Sequence, residues 1–272
     1  MNEVKSLSKA IDKPVEDVNG WFRSRQRVDR ESVKVRVAAD CLWRLGMYAL
    51  CFFTNLYILR GQPWSRNLSL CWEDIPLQRN EESVRWFYVA LEIPLYLVLL
   101  VSQLTEGRRA SDMWEMTVHH TTVLVLLSIV YLGNFVRIGM VGLLLHDVTD
   151  IFLESSKLAS NFRWKGMADL LFVGFAGSWA YARIYRVSTA LLPTLFTDGR
   201  AAMSESLYKV VIGLMAVLVC LNLYWFFKIS SLLYRILWAG SPKERAQRDF
   251  TDLSTDDEVD SDSSYFSDVD KQ

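Results

Sequence analysis

Histidine, proline and cysteine are all scarce in this chain of 272 residues, with three, six and four copies respectively. Three histidines are too few for a membrane di-iron centre of the histidine-rich kind. The cysteines Cys41, Cys51, Cys71 and Cys220 are scattered. They show neither the spacing of a zinc site nor that of a disulfide framework, so they read as free thiols that act as small hydrophobes in or beside apolar segments. An apolar leader is also missing. Residues 1–36 are polar, which excludes a signal peptide there and predicts entry into the membrane without a cleaved leader. Charge is balanced, with a formal net of −1, and 51% of residues are hydrophobic. Those totals suit a large soluble protein as well as a membrane protein.

The distribution of the apolar residues separates the two. Apolar windows recur at 40–59, 84–104, 116–135, 138–157, 168–190 and 208–233, each close to the roughly 20 residues that carry a helix across hydrocarbon. The expectation is an all-α integral membrane protein of about six spans. Basic residues near the spans give an orientation. Arg23, Arg25, Arg27, Arg30, Lys34 and Arg36 precede the first window, Arg108 and Arg109 follow the second, and Lys157, Arg163 and Lys165 follow the fourth. With alternating helices these share one side, so both termini are expected in the cytosol. Asn67-Leu68-Ser69, in a loop on the other side, fits the glycan acceptor pattern.

Three regions follow: a basic helical segment at 1–36, a transmembrane domain at 37–240 and an acidic tail at 241–272. In the first, Leu7, Ile11 and Val15 space as one apolar face, Pro14 breaks it, and a second helix begins near Val18. Trp21-Phe22-Arg23-Ser24-Arg25 resembles part of the third helix of a homeodomain, in which an asparagine occupies the place of Ser24 and reads adenine. Serine lacks the amide for that bidentate contact. The segment is therefore expected to meet anionic lipid or a nucleotide-bearing substrate and no nucleic acid. The tail is acidic, serine-bearing and poor in apolar residues, a composition that predicts disorder. Ser254-Thr255-Asp256-Asp257-Glu258 and Ser267-Asp268-Val269-Asp270 suit an acid-preferring kinase.

Polar residues inside the windows point to function. A charged residue at the centre of a membrane helix costs about 2.5–3.5 kcal/mol on insertion scales, and such residues mark functional interiors. His119, His120 and His146, with Arg137, Asp147, Asp150 and Glu154, fall within one stretch. On a helix through 138–157, His146, Asp150 and Glu154 stack at four-residue spacing, flanked by Asp147 and Lys157. His119 and His120 lie on the preceding helix, which runs antiparallel after a turn around Asn134, so the two sets are expected to meet in the cytosolic half of the bundle. Adjacent side chains on a helix diverge by about 100°, so asymmetric roles are expected of the histidine pair. Glu92, just before Pro94, reads either as a kink with a satisfied acid or as a pocket residue. The cluster as a whole reads as a catalytic site, as a hydrogen-bond network that fixes packing, or as ligands for zinc or iron.

Arg109-Ala110-Ser111-Asp112, Met116, His119-His120, Asn134, Arg137-Ile138-Gly139 and the run from Leu145 through His146-Asp147 and Asp150 to Lys157 resemble the signature of the ceramide synthases of the TLC-domain family. The likeness extends from the homeodomain-like fragment through Gln62-Pro63-Trp64 and Glu92 to Arg183, Trp225 and the acidic tail. Thr149 stands where serine is usual and Leu158 where methionine is usual. Animal-type members carry a further span and the front of the homeodomain-like unit ahead of the matched part. The resemblance implies a TLC-type bundle or barrel around a central cavity in the endoplasmic reticulum membrane. It also implies transfer of a fatty acyl group from acyl-CoA to a sphingoid base, with no metal and no cofactor beyond that co-substrate, and a homo- or hetero-dimer.

Amide formation from a thioester needs a neutral amine or an activated acyl group. Neutral imidazole supplies either, as general base or as a transient acyl-imidazole. His119 is the expected reactive group, with His120 supporting it and His146 lining the pocket. Asp147 and Asp150 are expected to orient imidazole and attract the substrate ammonium. Glu92, Glu154, Lys157, Arg137 and Asp112 are placed around the substrate or its helices, and Arg108, Arg109 and Lys157 near the CoA phosphates. An acyl chain gains about 0.8 kcal/mol per buried methylene, which predicts a long apolar pocket. By the resemblance, the loop from Leu191 to Ser206 bears on chain length. The alternative is a non-enzymatic TLC-domain protein that senses lipid or accompanies a translocon.

Overall fold

Hydrocarbon offers the backbone no hydrogen-bond partners, so a chain crossing it closes its N–H and C=O groups within each helix. The computed structural model describes residues 2–105 and 112–238, and among these there is no strand. Arg108 and Arg109, and the acidic tail with its serine motifs, lie outside the described residues. The described helices are α1 (Asn2–Ala10), α2 (Val15–Leu59), α3 (Glu82–Thr105), α4 (Met113–Leu132), α5 (Val136–Asn161), α6 (165–202) and α7 (Glu205–Trp238). Four of them contain stretches long and apolar enough to cross a membrane: Val33–Leu59, Glu82–Thr105, Met113–Leu132 and Glu205–Ile236. The windows expected at 138–157 and 168–190 are helical as well. They carry the charges of the interior, Asp147, Asp150, Glu154 and Lys157 on α5 and Arg183 and Arg186 on α6.

Pro14 separates α1 from α2, as its missing N–H and fixed φ demand. Beyond it the chain stays helical for 45 residues. The homeodomain-like stretch is thus the lead-in of the first long helix, with Trp21 exposed on its surface, and position 36 falls inside that helix.

Helix α5 packs against α2 and α6, α3 packs against α4, and α7 lies against α4 and α6. Single polar bonds fix these contacts. Asn55 Nδ2 donates to Met140 O at 2.9 Å between α2 and α5, and Tyr88 Oη donates to Val136 O at 2.7 Å between α3 and α5. Trp179 Nε1 donates to Asn222 O at 3.2 Å between α6 and α7. Glu92 and Pro94 sit where a kink was expected. There the helix takes a π-helical turn over Tyr88–Glu92, the kind of local widening that interrupts otherwise regular helices.

Between α2 and α3 the segment 60–81 folds down as a plug, with Trp64, Cys71 and Trp72 buried. Burial pushes the Cys71 thiol up to about 12, which keeps it protonated and inert at neutral pH. Asn134, at a left-handed φ of 61° in the α4–α5 turn, donates to Pro76 O at 2.9 Å and Gln78 O at 2.8 Å. Arg137 completes the anchor. Its Nε donates to Asn80 Oδ1 at 2.9 Å and its Nη2 to Arg79 O at 2.8 Å. The sequence reading grouped Arg137 with the charged cluster. It lies more than three turns before Asp150, about 20 Å along the axis, and holds the plug.

A second expectation also changes. Residues 191–206 do not form a loop, because α6 continues through π-helical and α-helical turns to Ala202. Only Met203 and Ser204 link it to α7.

Gly139 marks a close approach of α5 to Tyr88 of α3 and Val130 of α4, since a Cβ there runs into Tyr88 Oη and the Val130 side chain. Gly139→Val is expected to break the Tyr88–Val136 bond and cost about 1–3 kcal/mol, as overpacking does. Tryptophan fluorescence during heating of the detergent-solubilised protein measures this. An unchanged melting temperature contradicts the close packing at that crossing.

Candidate active site

Two cavities open inside the bundle. The first, about 170 Å³, is walled by His119 and His120 of α4, Asp150, Glu154 and Lys157 of α5, Arg183 of α6, Trp225 of α7, and Asp40, Arg44 and Tyr48 of α2. It reaches Gln103 near the end of α3 and Asp112 just before α4, so it lies toward the end of the bundle where the basic lead-in of α2 begins. The second, about 130 Å³, is almost wholly apolar. It is bordered by Val123, Leu127, Phe135, Ile138, Leu191, Leu195, Met203 and Leu218, with His146 and Asn222 as polar exceptions. Tyr96 borders both.

His119 and His120 are both buried, with ring centroids 5.7 Å apart. Trp225 meets His119 edge to face at 5.2 Å, and Tyr96 meets His120 in the same manner at 6.2 Å. These aromatic walls fix the rings without consuming their nitrogens. Nδ1 of each has no hydrogen-bond partner among the described residues. The histidine pair therefore joins the same cavity, with one ring against α7 and the other against α3.

The carboxylates divide differently from the sequence reading. Asp150 was expected to orient imidazole. Instead its Oδ1 accepts from Arg183 Nη2 at 2.7 Å. Arg183 further donates from Nε to Thr149 Oγ1 at 2.8 Å and from Nη2 to His146 O at 3.2 Å, and its guanidinium stacks on Trp179 at 4.2 Å. A guanidinium binds carboxylate more strongly than neutral imidazole does, so it captures Asp150. Asp147 lies three positions earlier and is rotated by about 60° on the helix. It is fully buried and borders neither cavity. It interacts with Glu92 of α3, which lies beside the Cys51 thiol of α2, and its own oxygens have no hydrogen-bond partner among the described residues. Placing Asp147 against imidazole, and Glu92 in the pocket, is corrected accordingly.

His146 lies one turn from Asp150 and borders the apolar cavity. Its Nδ1 lies 2.8 Å from Gly142 O. A carbonyl only accepts, so Nδ1 carries the proton and Nε2 keeps its lone pair. Glu154 and Lys157 pair at 2.9 Å in the wall of the polar cavity, near the side expected for CoA. At its rim Asp112 pairs with Lys228 of α7, Lys228 lies 5.2 Å from the Tyr224 ring centre, and Tyr224 Oη donates to Glu115 at 3.3 Å. Among the described residues no three His, Cys, Asp or Glu side chains converge as metal ligands.

Arg183 is the site residue that motif reading missed, having counted it only toward the extent of the resemblance. The rule that exposed the histidine cluster applied to it equally, because an arginine inside an apolar window requires a partner. Asp40, Arg44, Tyr96 and Lys228 sit near helix ends or read as ordinary core, and their convergence needs the tertiary packing.

The TLC domain family model matches residues 38–231, which is most of the chain and spans every helix just described except α1 and the lead-in of α2. The protein belongs to the TLC-domain family. Ceramide synthase 4 of Mus musculus is 34% identical over 88% of this chain and 60% of its own length. Ceramide synthase 5 of Homo sapiens is 28% identical over 94% of this chain and 65% of its own. Ceramide synthase hyl-1 of Caenorhabditis elegans is 28% identical over 84% and 63%. The chain spans less than two thirds of the length of these relatives.

The Arg183–Asp150 pair makes a stability prediction. Arg183→Met leaves a buried carboxylate unpaired, an effect of about 3–5 kcal/mol in buried pairs. The double change Arg183→Met with Asp150→Asn removes both charges and is expected to recover most of that loss in thermal unfolding. A double variant no more stable than Arg183→Met alone contradicts the pairing.

Proposed function

We propose that this chain carries the transmembrane catalytic part of a sphingosine N-acyltransferase. It transfers a fatty acyl group from acyl-CoA to the amine of a sphingoid base, releasing CoA and giving ceramide or dihydroceramide. The observation that carries this reading is the His119–His120 pair, set in the wall of a cavity lined by charge and backed by an apolar cavity across Tyr96. A thioester on a polyanionic carrier and an amine on a long alkyl chain need such a polarity step. The matching relatives that are ceramide synthases support the same chemistry.

In this reading His119 takes the proton from the amine as it attacks the thioester carbon, or itself attacks the thioester, and His120 supports it. Acyl and alkyl chains lie in the apolar cavity along Leu191, Leu195 and Met203. Lys157, in the wall of the charged cavity, stands on the side of the CoA phosphates. The protein resides in the endoplasmic reticulum membrane with both termini cytosolic, which places the charged cavity on the side where CoA is available. The cationic segment before the first long helix supports that orientation.

The test is turnover of a fluorescent sphingoid base with acyl-CoA of several lengths by the purified protein. His119→Ala and His120→Ala are each expected to fall about 10²–10⁴-fold, the usual loss for a general acid–base group. Equal turnover in all three proteins removes the histidines from the mechanism. No turnover by folded wild type removes the acyltransferase reading. Intact mass after acyl-CoA alone separates the two routes, because only acyl-imidazole retains added acyl mass.

A further inference from the structure

Arg183 does more than balance Asp150. Its Nε is committed to Thr149 and its Nη2 to Asp150 and the His146 carbonyl. No acceptor among the described residues takes the two N–H groups of Nη1. The side chain is 3% exposed and borders the cavity that also holds His119 and His120, close enough to His119 to act on it electrostatically. The plane of the fork is held by three acceptors and by Trp179 beneath it at 4.2 Å. What the guanidinium offers an occupant of the cavity is therefore its uncommitted Nη1 edge, already oriented by the bonds of its other two nitrogens.

The nature of that occupant follows from charge. A cation there repels the sphingoid ammonium and has nothing to give an alkyl chain. CoA phosphates are expected at the rim, where Lys157 and Lys228 stand. An oxygen that gains negative charge during acyl transfer suits it. We propose that Arg183 Nη1 binds the thioester carbonyl oxygen and stabilises the oxyanion formed from it, a catalytic role that rests on the acyltransferase reading above.

The step balances as follows. The amine nitrogen, its proton passing to imidazole, forms a bond to the thioester carbon, and the carbonyl π pair moves onto oxygen beside Nη1. Collapse restores the C=O bond, breaks C–S and expels the CoA thiolate, which takes the proton from imidazolium. If His119 attacks first, CoA leaves as thiolate, and the amine then attacks the acyl-imidazole with its proton passing to His120, so that negative charge develops on the same oxygen in two successive steps. Preorganised donors at such a position typically contribute about 10²–10³ in kcat.

Infrared spectroscopy reads the contact directly. The probe is an S-(2-oxoalkyl)-CoA with a ¹³C-labelled ketone, whose carbonyl cannot be transferred. Bound to wild type, its carbonyl band is expected below the frequency of the same compound in detergent micelles. Arg183→Lys preserves the positive charge beside Asp150 but not the fixed fork. It is expected to keep the melting temperature within a few degrees of wild type. The band should return toward the micelle value and kcat fall about 10²–10³-fold, with KM for acyl-CoA little changed. A role limited to balancing Asp150 is met by lysine, so wild-type kcat in the folded Arg183→Lys protein overturns the proposal. Should lysine unfold the protein, the wild-type spectrum decides alone: an unshifted band overturns the assignment. Failure of wild type to acylate a sphingoid base overturns the underlying function instead.

Discussion

The buried ion pair between Arg183 and Asp150 sets the geometry of this bundle's interior. Neither group tolerates hydrocarbon alone, and each meets the other across the two helices, with Thr149 Oγ1 and the His146 carbonyl accepting two further bonds from the guanidinium. Their union fixes the rotation of α5 against α6. Once that rotation is set, helical geometry distributes the rest of the α5 face. Glu154 and Lys157, one and two turns on, join the wall of the polar cavity. His146, one turn back, falls to the apolar one, and Asp147 turns toward α2 and α3.

That division shows what could be read beforehand. Apolar windows marked every long helix, because helix length and hydropathy are local properties of the chain. The histidine pair and the acids of α5 were also legible, since charge inside such a window is conspicuous. The four-residue spacing of His146, Asp150 and Glu154 was right as periodicity yet did not decide which neighbour each residue meets. A helix face of that width touches three partners here, and strengths of competing bonds settle the sharing. Guanidinium outcompetes imidazole for Asp150, so the expected carboxylate–histidine arrangement is not what forms. The π-helical stretches of α6 escaped a reading based on 3.6 residues per turn, and with them the continuation of that helix through 191–202.

Along the bundle the interior changes character. At the end bearing Asp40, Arg44, Gln103, Asp112 and Lys157 it is lined by charge, and beyond Tyr96 it is lined by aliphatic and aromatic carbon. The plug of residues 60–81 covers the apolar end, with Trp72 reaching that cavity. An amphiphile entering such a space has one favourable direction. Each buried methylene stabilises it by about 0.8 kcal/mol, so an extended chain aligns with the apolar part and leaves its polar end beside the histidines. Solvation alone would orient the proposed amphiphilic substrates before any specific contact is made.

Two arginines lie in the first turn of α5 and midway along α6, and their contrast shows how a structural charge is told from a chemical one. Arg137 commits all three nitrogens: Nε to Asn80, Nη1 to Leu70 O at 3.5 Å and Nη2 to Arg79 O. Each nitrogen has an acceptor, and its work is to tie the plug to the α4–α5 corner. Arg183 commits two nitrogens, finds no acceptor among the described residues for the third, and borders a cavity. Leaving one nitrogen of a mostly buried guanidinium without an acceptor is costly, whereas in Arg137 all three nitrogens find one. An edge left without an acceptor, on a residue that shares its cavity with two imidazoles, is accounted for under the proposed acyl transfer by an acceptor that arrives with the acyl donor.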